Sequence, residues 1–215
     1  MKTTPHPLPE SFKMRARRIA YATLIAAAAA LPLVASAHVG VDGAAHHSAG
    51  FVQGFLHPFS GLDHLAAMVG VGLWSALAAR GARDLLWAPL GFAAMLLAGA
   101  LLGLAGAQVP AVEPMIAASL LVIGLLVATR LRLPGPVAAA VVGAFAVFHG
   151  VAHGHELSGD SGAAAAVAGM VLATALLHLA GIAAGWALRR RGTLLPRVAG
   201  GAVALFGVAL LAQVV

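Results

Sequence analysis

Six apolar runs, separated by short polar connections, constrain the fold of this chain of 215 residues more than any other feature. A helix needs about 20 apolar residues to cross the hydrocarbon core of a bilayer, and each run is close to that length. The runs are Leu62–Ala79, Leu85–Ala107, Val109–Thr129, Leu133–Ala152, Ala163–Leu188 and Leu194–Val215. Because lipid offers no hydrogen-bond partner to an open backbone, we predict an all-α fold, a polytopic membrane bundle of six transmembrane helices.

The composition agrees with a membrane protein, since 61% of the residues are hydrophobic and only 9% are charged. Cysteine is absent, which excludes disulfides, thiolate metal ligands and a cysteine nucleophile. The formal net charge is +6, but the basic residues lie in short clusters between the apolar runs. They indicate membrane topology rather than binding to nucleic acid.

Residues 1–37 have the three regions of a secretory signal peptide. A basic stretch precedes an apolar run from Ile19 to Val34, and Ala35-Ser36-Ala37 supplies the small residues of a cleavage site. Cleavage would make His38 the first residue of a single domain, residues 38–215, and its free amine and imidazole could chelate a metal together. The alternative is an uncleaved first membrane helix.

The arginines of the mature chain are confined to alternate connections between the apolar runs. They are Arg80, Arg83, Arg130, Arg132, Arg189, Arg190, Arg191 and Arg197. By the positive-inside rule these three connections face the cytoplasm, and a secreted amino terminus independently requires the same orientation. We therefore expect both termini of the mature chain on the outer side of the membrane.

The fourth run ends in residues 148–156, FHGVAHGHE, which place three histidines and a carboxylate at the end of a predicted helix. On a helix that turns about 100° per residue, His149, His153 and Glu156 fall within about 60° of one another, whereas His155 points away. Imidazole nitrogen and carboxylate oxygen suit divalent cations such as nickel, cobalt and zinc. The alternative is a polar helix end at the level of the lipid headgroups that binds nothing.

A second polar cluster, HPFSGLDH, begins at His57 and leads into the first run. Pro58 disfavours a helix at the residue before it. Ser60, with an acidic residue three positions later, resembles a capping box, so Asp63 and His64 would lie in the first turn of the first membrane helix. An acidic group there also complements the helix dipole, which is the structural alternative. Ionisable groups at the end of a membrane helix are nevertheless functional candidates.

The predicted orientation brings both clusters to the outer side of the membrane. We therefore expect His57, Asp63 and His64 to meet the donors of the fourth helix in one cation site built from two helices. Weaker candidates as ligands are His38, Glu113, His155 and His178. Glu113 begins the third span on the same side. His178 falls inside the fifth span, where it either takes part in transport or forms a hydrogen bond to a neighbouring helix.

Both clusters resemble the signatures of one protein family. The cluster HPFSGLDH resembles the HPxxGxDH signature of HupE/UreJ proteins, and FHGVAHGHE resembles their FHGxAHGxE signature. The resemblance covers essentially the whole chain and implies a nickel or cobalt permease of the bacterial inner membrane, often associated with hydrogenase or urease maturation. On the matching positions, the residues required for metal passage would be His57, Asp63, His64, His149, His153 and Glu156.

The expected function is therefore the capture of a divalent transition metal, nickel before cobalt, at the periplasmic face and its passage inward. The partners are the metal ion and the lipid bilayer, and neither a prosthetic group nor enzymatic activity is expected. No nucleotide-binding motif is present, so transport would be passive or coupled to an ion. The alternative is an intramembrane zinc hydrolase that uses the same ligands, with Asp63 or Glu156 as the base.

Overall fold

The computed structural model describes residues 50–190 and 192–214, so the predicted signal peptide, residues 1–37, and His38 lie outside the described residues. The described part of the chain is helical and contains no strand. Its helices are α1 (Phe51–Ser60), α2 (Leu62–Ala78), α3 (Ala82–Leu104), α4 (Val112–Thr129), α5 (Gly135–Glu156), α6 (Ala163–Arg189) and α7 (Leu194–Val214).

Five of these helices, α3 to α7, are long and apolar enough to cross a membrane. Helices α1 and α2 pass the same test only as a pair, and they are bent by 87° at the break between them. The predicted all-α membrane bundle is confirmed. The first of the six predicted spans, however, is a broken segment rather than one straight helix.

The first helix corrects two expectations for the polar cluster at His57. Both His57 and Pro58 lie inside α1, although Pro58 was expected to disfavour a helix at His57. Proline lacks the N–H that would bond to the carbonyl of Gly54, which weakens a helix but does not prevent it where tertiary packing compensates. Here α1 packs closely on α6. The two helices are so close that a Cβ atom at Gly54 would overlap the Ala166 backbone.

The predicted capping box between Ser60 and Asp63 is also wrong. Helix α2 begins at Leu62 after Gly61, which has an extended backbone and provides no side-chain cap. The Ser60 hydroxyl instead donates a hydrogen bond to the carbonyl of His57, 2.6 Å away, and so belongs to the end of α1. Asp63 still lies in the first turn of α2, where its charge complements the helix dipole.

Helix α2 lies at the centre of the bundle, since every residue from Ala67 to Leu77 except Val69 is buried. It packs on α6 through glycines that allow close approach of the two backbones. A Cβ atom at Gly181 would lie 2.9 Å from the backbone nitrogen of Leu73. Small residues at such positions are the usual basis of close helix packing in membranes.

The two ends of the bundle differ in chemistry. The connections α2–α3, α4–α5 and α6–α7 meet at one end, which we call the arginine end. There the Arg130 guanidinium donates to the carbonyl of Gly192 at 2.5 Å, and that of Arg189 donates to the carbonyl of Ala79 at 3.3 Å. The opposite end, which we call the histidine end, contains α1 and the last turn of α5. The fold therefore separates the basic connections from the predicted ligands.

Candidate metal centre

Three helix ends converge at the histidine end and bring residues of the two polar clusters together. His57 lies in the last turn of α1, His64 in the first turn of α2, and His153 in the last turn of α5. The ring centroid of His153 lies 4.6 Å from that of His57 and 4.6 Å from that of His64. Two stretches that are far apart in the sequence therefore share one small volume, and three helices rather than two supply the side chains.

Three side chains in this volume, which we call the surface donor group, have a spacing that suits metal ligands. His57, His153 and Glu156 each present a ligand atom, and these atoms all lie within 4.8 Å of one another. Glu156 Oε2 lies 3.5 Å from His153 Nδ1 and 3.9 Å from His57 Nε2. Ligand atoms bound about 2.1 Å from one tetrahedral ion are about 3.4 Å apart, so small side-chain movements would close the group around a cation.

Exposure falls from the outer members of this group to the inner one. The side chains of His57 and Glu156 both keep 37% of their surface exposed, whereas His153 is only 1% exposed. An ion could therefore meet the first two side chains from solvent. The third side chain, that of His153, is buried in the interior of the bundle.

Asp63 and His64 form a pair next to the surface donor group. Their side chains meet at 3.0 Å, between Asp63 Oδ1 and His64 Nδ1. An ionised carboxylate only accepts hydrogen bonds, so His64 Nδ1 carries the proton and Nε2 keeps its lone pair. That Nε2 atom is buried without a hydrogen-bond partner among the described residues. Asp63 thus orients His64 in the way that second-shell carboxylates orient metal-binding histidines.

His149 is the deepest of the predicted ligands, and a serine of α4 fixes its ring. The Ser119 hydroxyl donates to the carbonyl of Ile116 at 2.6 Å and lies 3.0 Å from His149 Nε2. A hydroxyl has one proton to donate, so Ser119 accepts from Nε2–H and leaves the lone pair on His149 Nδ1. This Nδ1 atom is buried and unpartnered in the described part of the chain. The sequence interpretation missed Ser119, although a lone serine in an apolar span was a signal.

Glycines hold the helix that carries His149 and His153 firmly against α3. A Cβ atom at Gly154 would lie 2.8 Å from both Gly103 Cα and the backbone nitrogen of Leu104, and Gly150 is equally close to α3. The two backbones are therefore in direct contact, with no side chain between them. This contact sets the position of the buried imidazoles relative to the other helices.

Two of the weaker candidates lie away from the surface donor group. His155 donates from Nε2 to the carbonyl of Ala107 at 2.7 Å and so holds the end of α5 to the connection after α3. Glu113 lies in the first turn of α4, is exposed, and belongs to no group with ligand spacing in the described residues.

The remaining weak candidate, His178, lies deep in the bundle on α6 and is 3% exposed. The hydrogen bond to a neighbouring helix that the sequence suggested as one alternative is absent at its Nε2 atom among the described residues. Its ring instead packs on the ring of Phe92 in a T-shaped arrangement, with centroids 5.3 Å apart. No local sequence pattern indicated this aromatic neighbour.

The fold and the site together define a class, a multi-span membrane protein with a cluster of histidine and glutamate side chains at the spacing of metal ligands. The HupE / UreJ protein family matches residues 25–210, and the chain belongs to that family. Protein HupE of Rhizobium leguminosarum bv. viciae is 46% identical over 190 residues, which cover 88% of this chain and 96% of that protein. No solved structure matches the chain significantly. The family resemblance seen in the two motifs is confirmed.

Proposed function

We propose that this protein is a permease of the bacterial inner membrane that carries a divalent transition metal, nickel first and cobalt second. The observation that carries the proposal is the surface donor group, in which two imidazoles and a carboxylate from two helices present ligand atoms within 4.8 Å of one another. Membership of the HupE/UreJ family supports the same function, because the motifs of that family imply nickel or cobalt transport and a link to hydrogenase or urease maturation.

The donor chemistry suits a transported ion better than a permanently bound one. Three nitrogen and oxygen ligands hold a borderline divalent cation but leave coordination positions open to water, so the ion is not enclosed. On affinity alone such a site favours Cu(II), so preference for nickel must come from geometry and from the supply of metal. Protons compete with metal for the imidazole nitrogens, so capture weakens as the pH falls through the range in which histidine titrates.

A route inward follows from the lone pairs that the neighbouring residues leave free. His64 Nε2 and His149 Nδ1 both lack a hydrogen-bond partner in the described part of the chain, and their ring centroids are 5.2 Å apart. An ion released by His153 would meet His64 and then His149. The Asp63 carboxylate beside His64 would lower the electrostatic cost of bringing a dication into this region.

The positive-inside rule sets the orientation of the protein in this proposal, and with it the side from which metal enters. The arginine end faces the cytoplasm and the histidine end faces the periplasm, so the partly exposed side chains of His57 and Glu156 receive metal from outside. Both termini of the mature chain are then periplasmic.

Purified protein in liposomes that contain a metal-sensitive dye tests the proposal. We expect the protein to deliver external Ni²⁺ or Co²⁺ to the lumen, and we expect His57→Ala to lower the initial rate at least about tenfold because one of three ligands is lost. His155→Ala is the matched control, since its imidazole binds a backbone carbonyl instead of the surface donor group. Tight retention of one ion without delivery to the lumen would contradict a permease and favour the zinc-hydrolase alternative.

A further inference from the structure

A cavity opens at the arginine end, opposite the predicted ligands. Its volume is about 450 Å³, and its charged lining residues are Asp84, Arg80 and Arg132, beside Ser75 of α2 and Ala88 of α3. If metal enters at the histidine end, this space at the opposite end is where it would leave the bundle. Between the two ends lies a tightly packed interior, in which apolar side chains would not coordinate a cation.

One imidazole lies in that interior. His178 is 3% exposed, and its Nε2 atom has no hydrogen-bond partner in the described ranges. The nearby hydroxyl of Thr174 does not serve it, because that hydroxyl donates to the carbonyl of Met170 at 2.9 Å and contacts the sulfur of Met68 at 3.4 Å. A buried polar atom without a partner costs stability, so its presence calls for an explanation other than packing.

His178 is also close to the deepest predicted ligand of the histidine end. The ring of Phe92 contacts both imidazoles, with centroid distances of 5.8 Å to His149 and 5.3 Å to His178. A single aromatic side chain is thus the common neighbour of the two imidazoles.

Contacts of His178 with α3 and α2 place it about one helical turn from the residues that line the cavity. On α3, Ala88 lines the cavity and lies four residues from Phe92, which touches the His178 ring. On α2, Ser75 lines the cavity and lies three residues from Gly72, which packs against the backbone of His178. One helical turn spans about 5.4 Å, so a single step would separate the imidazole from the cavity.

We propose that His178 Nε2 is an interior binding station for the divalent transition metal, between His149 and the cavity at the arginine end. This inference rests on the proposed transport function and adds a site to it. One imidazole holds a cation weakly, so the ion stays briefly and moves on. Borderline cations such as nickel and cobalt accept a neutral imidazole nitrogen as a ligand.

His178→Leu in the liposome assay is the first test. Leucine removes the nitrogen donor and leaves no unpaired polar atom, so the variant should unfold at a temperature equal to or above that of the unsubstituted protein. We expect it to bind the first metal ion normally while its transport rate falls at least tenfold. Transport at the normal rate, or a loss of rate that merely follows a loss of folded protein, would overturn the station.

The absence of cysteine in the chain makes a direct second test available. In full-length His178→Cys protein, Co²⁺ that reaches the station would bind the only thiolate and produce a sulfur-to-cobalt charge-transfer band. Leu177→Cys is the matched control, because Leu177 is also buried but points about 100° away around α6. We expect the band only for His178→Cys, and its absence there would refute the proposal.

These results also separate this inference from the proposed function. If the unsubstituted protein carries no metal in the liposomes, the transport function itself is wrong. If that protein carries metal and His178→Leu carries it equally fast, only the interior station is wrong.

Discussion

Gly150→Ala should damage the site without changing any ligand. Gly150 follows His149 on α5 and faces the backbone of α3. A Cβ atom at this position would lie 2.7 Å from the backbone nitrogen of Ala100 and closer still to the carbonyl oxygen of Leu96. Both are backbone atoms, so neither can rotate away as a flexible side chain would. The two helices must therefore move apart.

The size of the effect follows from these contacts. Real Cβ contacts begin at about 3 Å, so α5 must shift away from α3 by about 1 Å. Overpacking of this kind costs about 1–3 kcal/mol, and the better helix propensity of alanine returns up to about 1 kcal/mol. A net loss on the order of 1–2 kcal/mol is expected. Because coordination distances tolerate only about 0.2 Å, the same shift of His149 and His153 should lower transport about tenfold or more.

Gly201→Ala is the matched control for this experiment. Gly201 also lies inside a helix, α7, but a Cβ atom there would meet no other atom within 4 Å. The control should keep normal transport and gain up to about 1 kcal/mol of stability. Thermal unfolding in detergent and uptake into liposomes would be measured for both variants. If Gly150→Ala behaves like Gly201→Ala in both assays, the backbone contact does not position the imidazoles as described.

Three further predictions concern single groups and the membrane topology. Glu156→Gln keeps the shape of the side chain but removes its charge, so the nickel affinity measured by titration should fall about tenfold. An unchanged affinity would show that Glu156 is not a ligand of the surface donor group. Ser119→Ala removes the acceptor for His149 Nε2–H, so thermal unfolding should show a loss of about 1–3 kcal/mol of stability, and metal uptake should be slower. A variant with normal stability and uptake would mean that Ser119 does not orient the His149 ring. Amino-terminal sequencing of the membrane-extracted protein should begin at His38, and recovery of Met1 would contradict cleavage of the signal peptide. A reporter fused to Val215 should be active only outside the cytoplasm, and a cytoplasmic signal would contradict the predicted topology.

The sequence predicted the helices well because their signal is local. Long apolar runs have few alternatives in a bilayer, and the helix Gly135–Glu156 ends at the carboxylate that the motif suggested. The i, i+4, i+7 spacing also correctly separated His155 from the stripe of His149 and His153, since His155 turns to the carbonyl of Ala107.

The short helix α1 and the bend after it could not be predicted in this way. Local preferences favoured an irregular backbone at Pro58, but close packing of Gly54 on Ala166 stabilises a helix there. That packing joins residues more than 100 positions apart.

The arrangement of the site depended on tertiary structure for the same reason. The sequence identified the donor residues, but it did not identify the neighbouring side chains that decide which nitrogen of an imidazole keeps its lone pair. Ser119 orients His149, and the ring of Phe92 contacts both His149 and His178, through contacts between helices that no local pattern encodes. Sequence spacing within one helix therefore identified the stripe of predicted ligands, whereas the route beyond it required the fold.

The most direct test of the central claim is a double-mutant cycle on Co²⁺ binding. Co²⁺ affinity would be measured by calorimetry for the unsubstituted protein, His57→Ala, His153→Ala and the double variant. If α1 and α5 hold one ion together, each single substitution weakens binding and the double substitution costs much less than the two losses combined. Losses that simply add, or a His57→Ala protein that binds cobalt normally, would show that the two helices do not share a metal site.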